Sequence, residues 1–128
     1  MQLQPGLTAR VEMTVTDADT AQTLGSGDVP VLGTPRILAL AEAATVAAVA
    51  SRLDAGMTTV GTRVELDHRA ATVVGGRVSV LAILAKVDGR RLHFDIVVRD
   101  ESELVAEGRV ERVMVDRQRF LAKAFDVS

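Results

Sequence analysis

The chain of 128 residues contains no cysteine, so disulfides, thiolate metal sites and cysteine nucleophiles are all excluded. Aromatic residues are scarce: three Phe, with no Trp and no Tyr. Base stacking on aromatic platforms is therefore unsupported, and no basic block offers a nucleic-acid or membrane-surface patch. There are only two histidines, far apart at positions 68 and 93, so no metal-ligand cluster is expected. A membrane span is not expected either. The longest apolar run, ILALAEAATVAAVAS, carries Glu42 and ends at Arg52 and Asp54. The N-terminal MQLQPGLTARVEM has neither a basic n-region nor a long apolar stretch, so no signal peptide is expected. With no cysteine, a reducing cytoplasm is the expected setting. What remains is 48% hydrophobic and 25% charged, with a net charge of −2, which is the composition of an ordered globular chain. Its length suits one domain over 1–128, with no linker, repeat or low-complexity segment to divide it.

Periodicity supplies the elements. Leu7, Ala9, Val11, Met13 and Val15 alternate with polar residues, as in a half-buried strand. Asp17 to Pro30 is read as loop around Gly25-Ser26-Gly27-Asp28. Thr34-Pro35 combines a cap residue with a favoured first helical residue, which predicts a helix from there to about Leu53. Four strands follow: 58–71, 77–87, one whose inner face carries Leu92, Phe94, Ile96 and Val98, and 104–115. Gly75-Gly76 and Asp88-Gly89 mark turns between them, and the tail from about Asp116 to Phe125 is a candidate short helix. One strand, a long apolar helix and four antiparallel strands make an α+β fold, with the sheet wrapped around the helix to cover its apolar surface.

Glu42 is the only charged residue between Arg36 and Arg52. A carboxylate on an otherwise apolar helix is either one polar edge or a working group, because burying it unpaired costs several kcal/mol. His68 falls in phase with Val60, Val64, Leu66 and Ala70, on the face turned to the helix. Gly61, Arg63, Glu65 and Asp67 fall on the other face. A lone inward His can be a satisfied core residue. Set opposite Glu42, it makes a candidate acid/base pair. His93 shares a face with Asp95 and Arg99 and reads as solvated. Arg112 is inward-phased and could pair with Glu42 or an anionic ligand group, while the structural alternative is to snorkel to a strand end. Thr34 is the expected helix cap, and its hydroxyl and the helix-end amides could also face a reacting carbonyl. Eight residues of helix set Thr34 and Glu42 ~12 Å apart, too far to touch one substrate atom. If both act on it, one comes from a second subunit. The outward Leu81, Ile83 and Val97 also suggest an interface, without counting subunits.

The strings VPVLGTPRILALAEAA, VGTRVELDHRAATVVGG, VDGRRLHFDI and GRVERVMVDRQRF resemble the hotdog-fold thioesterases of the fluoroacetyl-CoA thioesterase type, from about Val29 to Phe120. The resemblance implies a hotdog dimer, with a tetramer left open, that hydrolyses a small acyl-CoA thioester without a metal. Coenzyme A enters as part of the substrate, with no separate cofactor. It further implies that Thr34, Glu42 and His68 are catalytic, that Gly61 lies beside the substrate carbonyl, and that Arg112 and Gly33 help bind substrate. One departure is plain. The fluoroacetyl enzyme carries Phe residues in a lid ahead of the helix, whereas Leu24-Gly25-Ser26-Gly27-Asp28 holds no aromatic. Selectivity for fluorinated acyl groups is thus not carried over. The nucleophile stays open between Glu42, Thr34 assisted by His68, and water activated by Glu42. The alternative from another class is a non-catalytic acyl-CoA or acyl-carrier binding module, since the scaffold alone does not fix function. A hydratase on the same fold is disfavoured, because no His precedes position 68.

Overall fold

In the computed structural model, which describes residues 3–126, the chain begins with β1 (Thr8–Thr14). A 3₁₀ turn (Asp17–Asp19) and the short helix α1 (Ala21–Leu24) lead to the long helix α2 (Thr34–Val49), which ends in a 3₁₀ turn (Ala50–Arg52). Then come β2 (Met57–His68), β3 (Arg77–Asp88), β4 (Arg91–Arg99), β5 (Leu104–Asp116) and α3 (Arg117–Ala124). The strands form one antiparallel sheet of five in the order β1-β3-β4-β5-β2, leaving β1 and β2 as its edges. This is the expected α+β hotdog arrangement.

The sheet packs on α2 because the helix presents small side chains to it. Ile37, Leu40, Ala41, Ala44, Thr45, Ala48 and Val49 are buried. They meet the inner face of the sheet, where Val80, Ala82, Leu84, Leu92, Phe94, Ile96, Val98 and Val110 are all at most 1% exposed. Each large aliphatic or aromatic side chain buried there contributes about 1.5–3 kcal/mol, and the alanines let the helix approach the curved sheet closely. Thr45 is the one hydroxyl in the buried helix face, and it donates to the Glu42 carbonyl one turn back at 2.6 Å. Ala39, Ala43, Val46 and Ala47 lie exposed, so one flank of α2 is uncovered by its own chain.

The segment read as plain loop is more ordered than that. Thr16 and Asp19 form a capping box, Thr20 accepts from the Thr23 amide, and Gly25 closes α1 in the left-handed conformation at φ 74°. The outer face of the sheet carries an ionic lattice, Arg63 with Glu65 and Glu111, and Arg69 with Glu107. His93 stands within it, 3.7 Å from Glu111. Among the described residues, no helix is long and apolar enough to cross a membrane.

Candidate active site

The site residues gather in two pairs along α2. Gly33 is the N-cap of this helix, so Thr34 is its first residue and does not cap it. The Thr34 side chain instead reaches the sheet, with its Oγ1 2.8 Å from Nδ1 of His68. His68 comes inward as the last residue of β2, opposite Ala106 of β5. Its Nε2 is buried and has no hydrogen-bond partner among the described residues. The partner of His68 is thus Thr34, and the direct pairing with Glu42 expected from sequence is not formed. Gly33 has a packing reason to lack a side chain: a Cβ there would stand 3.1 Å from the Ala21 backbone and 3.0 Å from Leu24 Cδ1.

The first turn of α2 offers fewer free amides than anticipated. Pro35 has none, and those of Arg36 and Ile37 both donate to the Gly33 carbonyl, at 3.1 and 3.2 Å. Among the described residues, the Thr34 amide is the donor that remains. Arg36 is engaged from below, its Nε donating to Asp19 Oδ1 at 2.9 Å. Burial opposes ionisation of Asp19. Hydrogen bonds from the Thr16 amide and hydroxyl and from Arg36 outweigh it and hold the carboxyl below its ordinary value. The stretch before α2 is pinned beside Thr34 by these contacts.

The second pair lies two turns along the helix. Glu42 Oε2 accepts from Arg112 Nη1 at 3.1 Å, with the Glu42 side chain 35% exposed and that of Arg112 only 7%. Arg112 therefore does not snorkel to the strand end. It stays inside because Thr59 supplies two further acceptors, Oγ1 to Nε at 2.8 Å and the carbonyl to Nη2 at 2.9 Å. Burial is the largest influence on the guanidinium and pulls its pKa below the ordinary value, with Glu42 acting in the other direction.

Gly61 belongs to this pair, and its expected outward position is corrected. The register of β2 against β5 shifts between Gly61 and Arg63, so Thr62 is an extra residue in the ladder. A bulge of this kind reverses which alternate residues point inward. Ahead of it, Thr59 and Gly61 share a face with Arg112; beyond it, Val64, Leu66 and His68 do. A Cβ on Gly61 would overlap Glu42 Oε2 and lie 3.3 Å from Arg112 Nη1. Thr59 was missed from the sequence for the same reason. Counting alternation back from Val64 places it outside, and the glycine inside the strand, Gly61, was the one local hint of a bulge. Asp19 was also missed, although Thr16-x-x-Asp19 is a readable capping box.

A nucleophile-type hydroxyl in hydrogen-bond contact with an imidazole, and a carboxylate held by a fixed cation, are the components of acyl transfer. A separate cleft lies on the outer sheet face around Arg63, Glu65, His93 and Glu111. Among the described residues, no cluster of three or more His, Asp or Glu could hold a metal ion.

Comparison with known proteins identifies the family and the fold. The sequence profile of the fluoroacetyl-CoA-specific thioesterase family matches residues 15–118. A fluoroacetyl-CoA thioesterase from Streptantibioticus cattleyicolor is 36% identical over 93 residues, which cover 73% of this chain and 67% of that protein. A solved structure of the fluoroacetyl-CoA thioesterase FlK superposes with a TM-score of 0.92 at 28% identity, covering 100% of this chain and 99% of the other. A thioesterase-superfamily protein from Thermus thermophilus gives 0.90 at 28% identity, over 96% and 91% of the two chains. The chain therefore belongs to the fluoroacetyl-CoA-specific thioesterase family and is a thioester hydrolase of the hotdog fold.

Proposed function

We propose that this enzyme hydrolyses the thioester of a small acyl-CoA at a site assembled from two copies of the chain. The Thr34–His68 pair would come from one copy and the Glu42–Arg112 pair with Gly61 from the other. The single observation that carries this reading is the separation of the two pairs. Each is internally bonded, and eight residues of helix, ~12 Å, lie between their helical members. Both pairs also meet β2, an edge strand. Two β2 edges joined antiparallel about a two-fold axis near Val64 and Glu65 would set Gly61 of one copy opposite His68 of the other. The uncovered flank of α2 favours the same assembly. Four copies remain an outcome for solution measurement.

At such a site, Thr34 Oγ1 and the Thr34 amide face the carbonyl, and His68 moves the proton that Thr34 or a water gives up. Arg112 holds one oxygen of Glu42, leaving the other to attack the thioester or to activate water. Gly61, lacking a side chain, leaves the space over that carboxylate open for the acyl carbon. CoA leaves as the thiol, and no metal or separate cofactor is called on. The acyl group is a small one, and fluorine selectivity is not carried over from the family. The segment ahead of α2 offers Leu24 and Val29 but no aromatic, and the three Phe lie elsewhere: Phe94 in the core, Phe120 in α3 and Phe125 at its end. A cytoplasmic setting goes with a CoA substrate and a chain free of cysteine.

The test is free-thiol release from short, medium, aryl and halogenated acyl-CoAs, with wild type and Glu42→Gln side by side. General acid/base participation is worth ~10²–10⁴ in rate, so the variant is expected to lose that factor while remaining folded. Full turnover in Glu42→Gln refutes the role of Glu42.

A further inference from the structure

We propose that Thr59 is a positioning residue of the thioesterase site, setting the Glu42 carboxylate through Arg112. The inference rests on the reading that Glu42 works on the thioester.

The guanidinium of Arg112 is a planar fork with five N–H donors. On its own, the bond from Nη1 to Glu42 Oε2 would leave the plane free to turn about that contact. Thr59 removes this freedom by gripping the opposite edge of the fork. Its hydroxyl takes Nε at 2.8 Å and its carbonyl takes Nη2 at 2.9 Å, both shorter than the 3.1 Å bond to Glu42. Thr59 and Arg112 are 8% and 6% exposed, so water cannot readily substitute for either acceptor. The arrangement is directional. With Nε and Nη2 held, Nη1 points at Glu42, and Glu42, itself 35% exposed, takes the place Arg112 defines.

The bulge at Thr62 is what makes this possible. In an unbroken strand, Thr59 would share the outer face with Arg63 and Glu65; the extra residue turns it inward beside Gly61. The same shift thus delivers the open position over the carboxylate and the anchor of the carboxylate's cation. Arg112 has three of its donor groups bonded within the protein. One of those three bonds is the contact through which Arg112 fixes Glu42.

The experiment measures kcat and KM for thiol release from acetyl-CoA and propionyl-CoA, well below the melting temperature of each variant. Wild type, Thr59→Val, Thr59→Ser and Glu42→Gln are compared. Displacing a reacting group by about 1 Å costs up to ~10²-fold, so Thr59→Val, which keeps the volume but removes the hydroxyl acceptor of Nε while the carbonyl acceptor stays, is expected to lower kcat roughly 10- to 100-fold. KM should stay within about threefold, because substrate binding is not what is lost. Thr59→Ser, which restores the hydroxyl, should return kcat to within about threefold of wild type. Wild-type kcat in Thr59→Val, or no recovery in Thr59→Ser, overturns the proposal. If Thr59→Val does not fold, Thr59→Cys replaces it, because a thiol is a weak acceptor of similar size. The same fall in kcat at constant KM is expected, and wild-type kcat refutes it. The two readings fail separately. An inactive Glu42→Gln with an active Thr59→Val removes Thr59 alone, whereas an active Glu42→Gln removes the Glu42 reading and the role of Thr59 with it.

Discussion

Gly61→Ala is the most demanding substitution for this site, because a single methyl group lands on the carboxylate. The added Cβ would overlap Glu42 Oε2, with Glu42 Cδ at 3.2 Å and Arg112 Nη1 at 3.3 Å. The arginine cannot give way while Thr59 holds its other edge. The end of Glu42 can, since its side chain is 35% exposed. Oε2 must withdraw by about 1 Å to reach ordinary van der Waals separation. That stretches its 3.1 Å bond to Arg112 beyond hydrogen-bond reach. Overpacking a tight site costs about 1–3 kcal/mol. Because the obstacle is a mobile side-chain end, the lower value applies, corresponding to a fall of about 4 °C in melting temperature. Activity is expected to fall far more, by ~10²-fold, since a 1 Å displacement of a reacting group costs that much. Thermal denaturation and acyl-CoA hydrolysis on the same preparation measure both. A folded Gly61→Ala enzyme with kcat near wild type would refute the reasoning, because it would mean that the position of the Glu42 carboxylate does not matter.

Other outcomes follow from the remaining contacts. Thr34→Val removes the 2.8 Å bond to His68 Nδ1 and is expected to lower kcat ~10²-fold. Thr34→Ser should keep most of the activity, and circular dichroism should show both variants folded. Arg112→Met leaves Glu42 and Thr59 without their buried cation, and hydrogen bonds to a charged group are worth ~1.5–3 kcal/mol. A lower denaturation midpoint together with lost turnover is expected. Asp19→Asn tests the anchor of the segment before α2. The Asp19 carboxyl lies below its ordinary value, so its contribution is present above the unfolded-state value and lost as pH falls through the folded-state one. The variant should therefore melt lower than wild type at pH 7, and the gap should close in acid, below the ordinary value of 3.8.

Much of the architecture was legible because it depends on local periodicity. Alternation marked β1 and β4, Asp88-Gly89 marked the β3–β4 turn, and the Ala-rich stretch from Thr34 marked α2. Asp116, N-cap of α3, and the short terminal helix were also readable. Glu42 and His68 stood out because each broke the chemistry of its own element, an acid in an apolar helix and an imidazole on an inward face. Local misreadings, such as Thr34 taken for the cap in place of Gly33, moved few contacts, whereas the failure at Gly61 and Thr59 was one of long-range registration. The extra residue at Thr62 comes from how β2 pairs with β5, and the sequence hints at it only through the glycine inside the strand.

The sequence by itself determined an α+β chain with one long helix, and which residues are chemically out of place within it. Hydrophobic spacing and turn chemistry act over a few neighbouring residues, so they can be read in a line. Only the tertiary structure decided who meets whom. It paired His68 with Thr34 rather than Glu42, turned Gly61 and Thr59 inward, and kept Arg112 buried against Glu42. Those outcomes depend on a one-residue shift between strands about fifty positions apart in the chain. In a pleated sheet, whose side chains alternate with period ~2, a shift of one residue exchanges the inside for the outside.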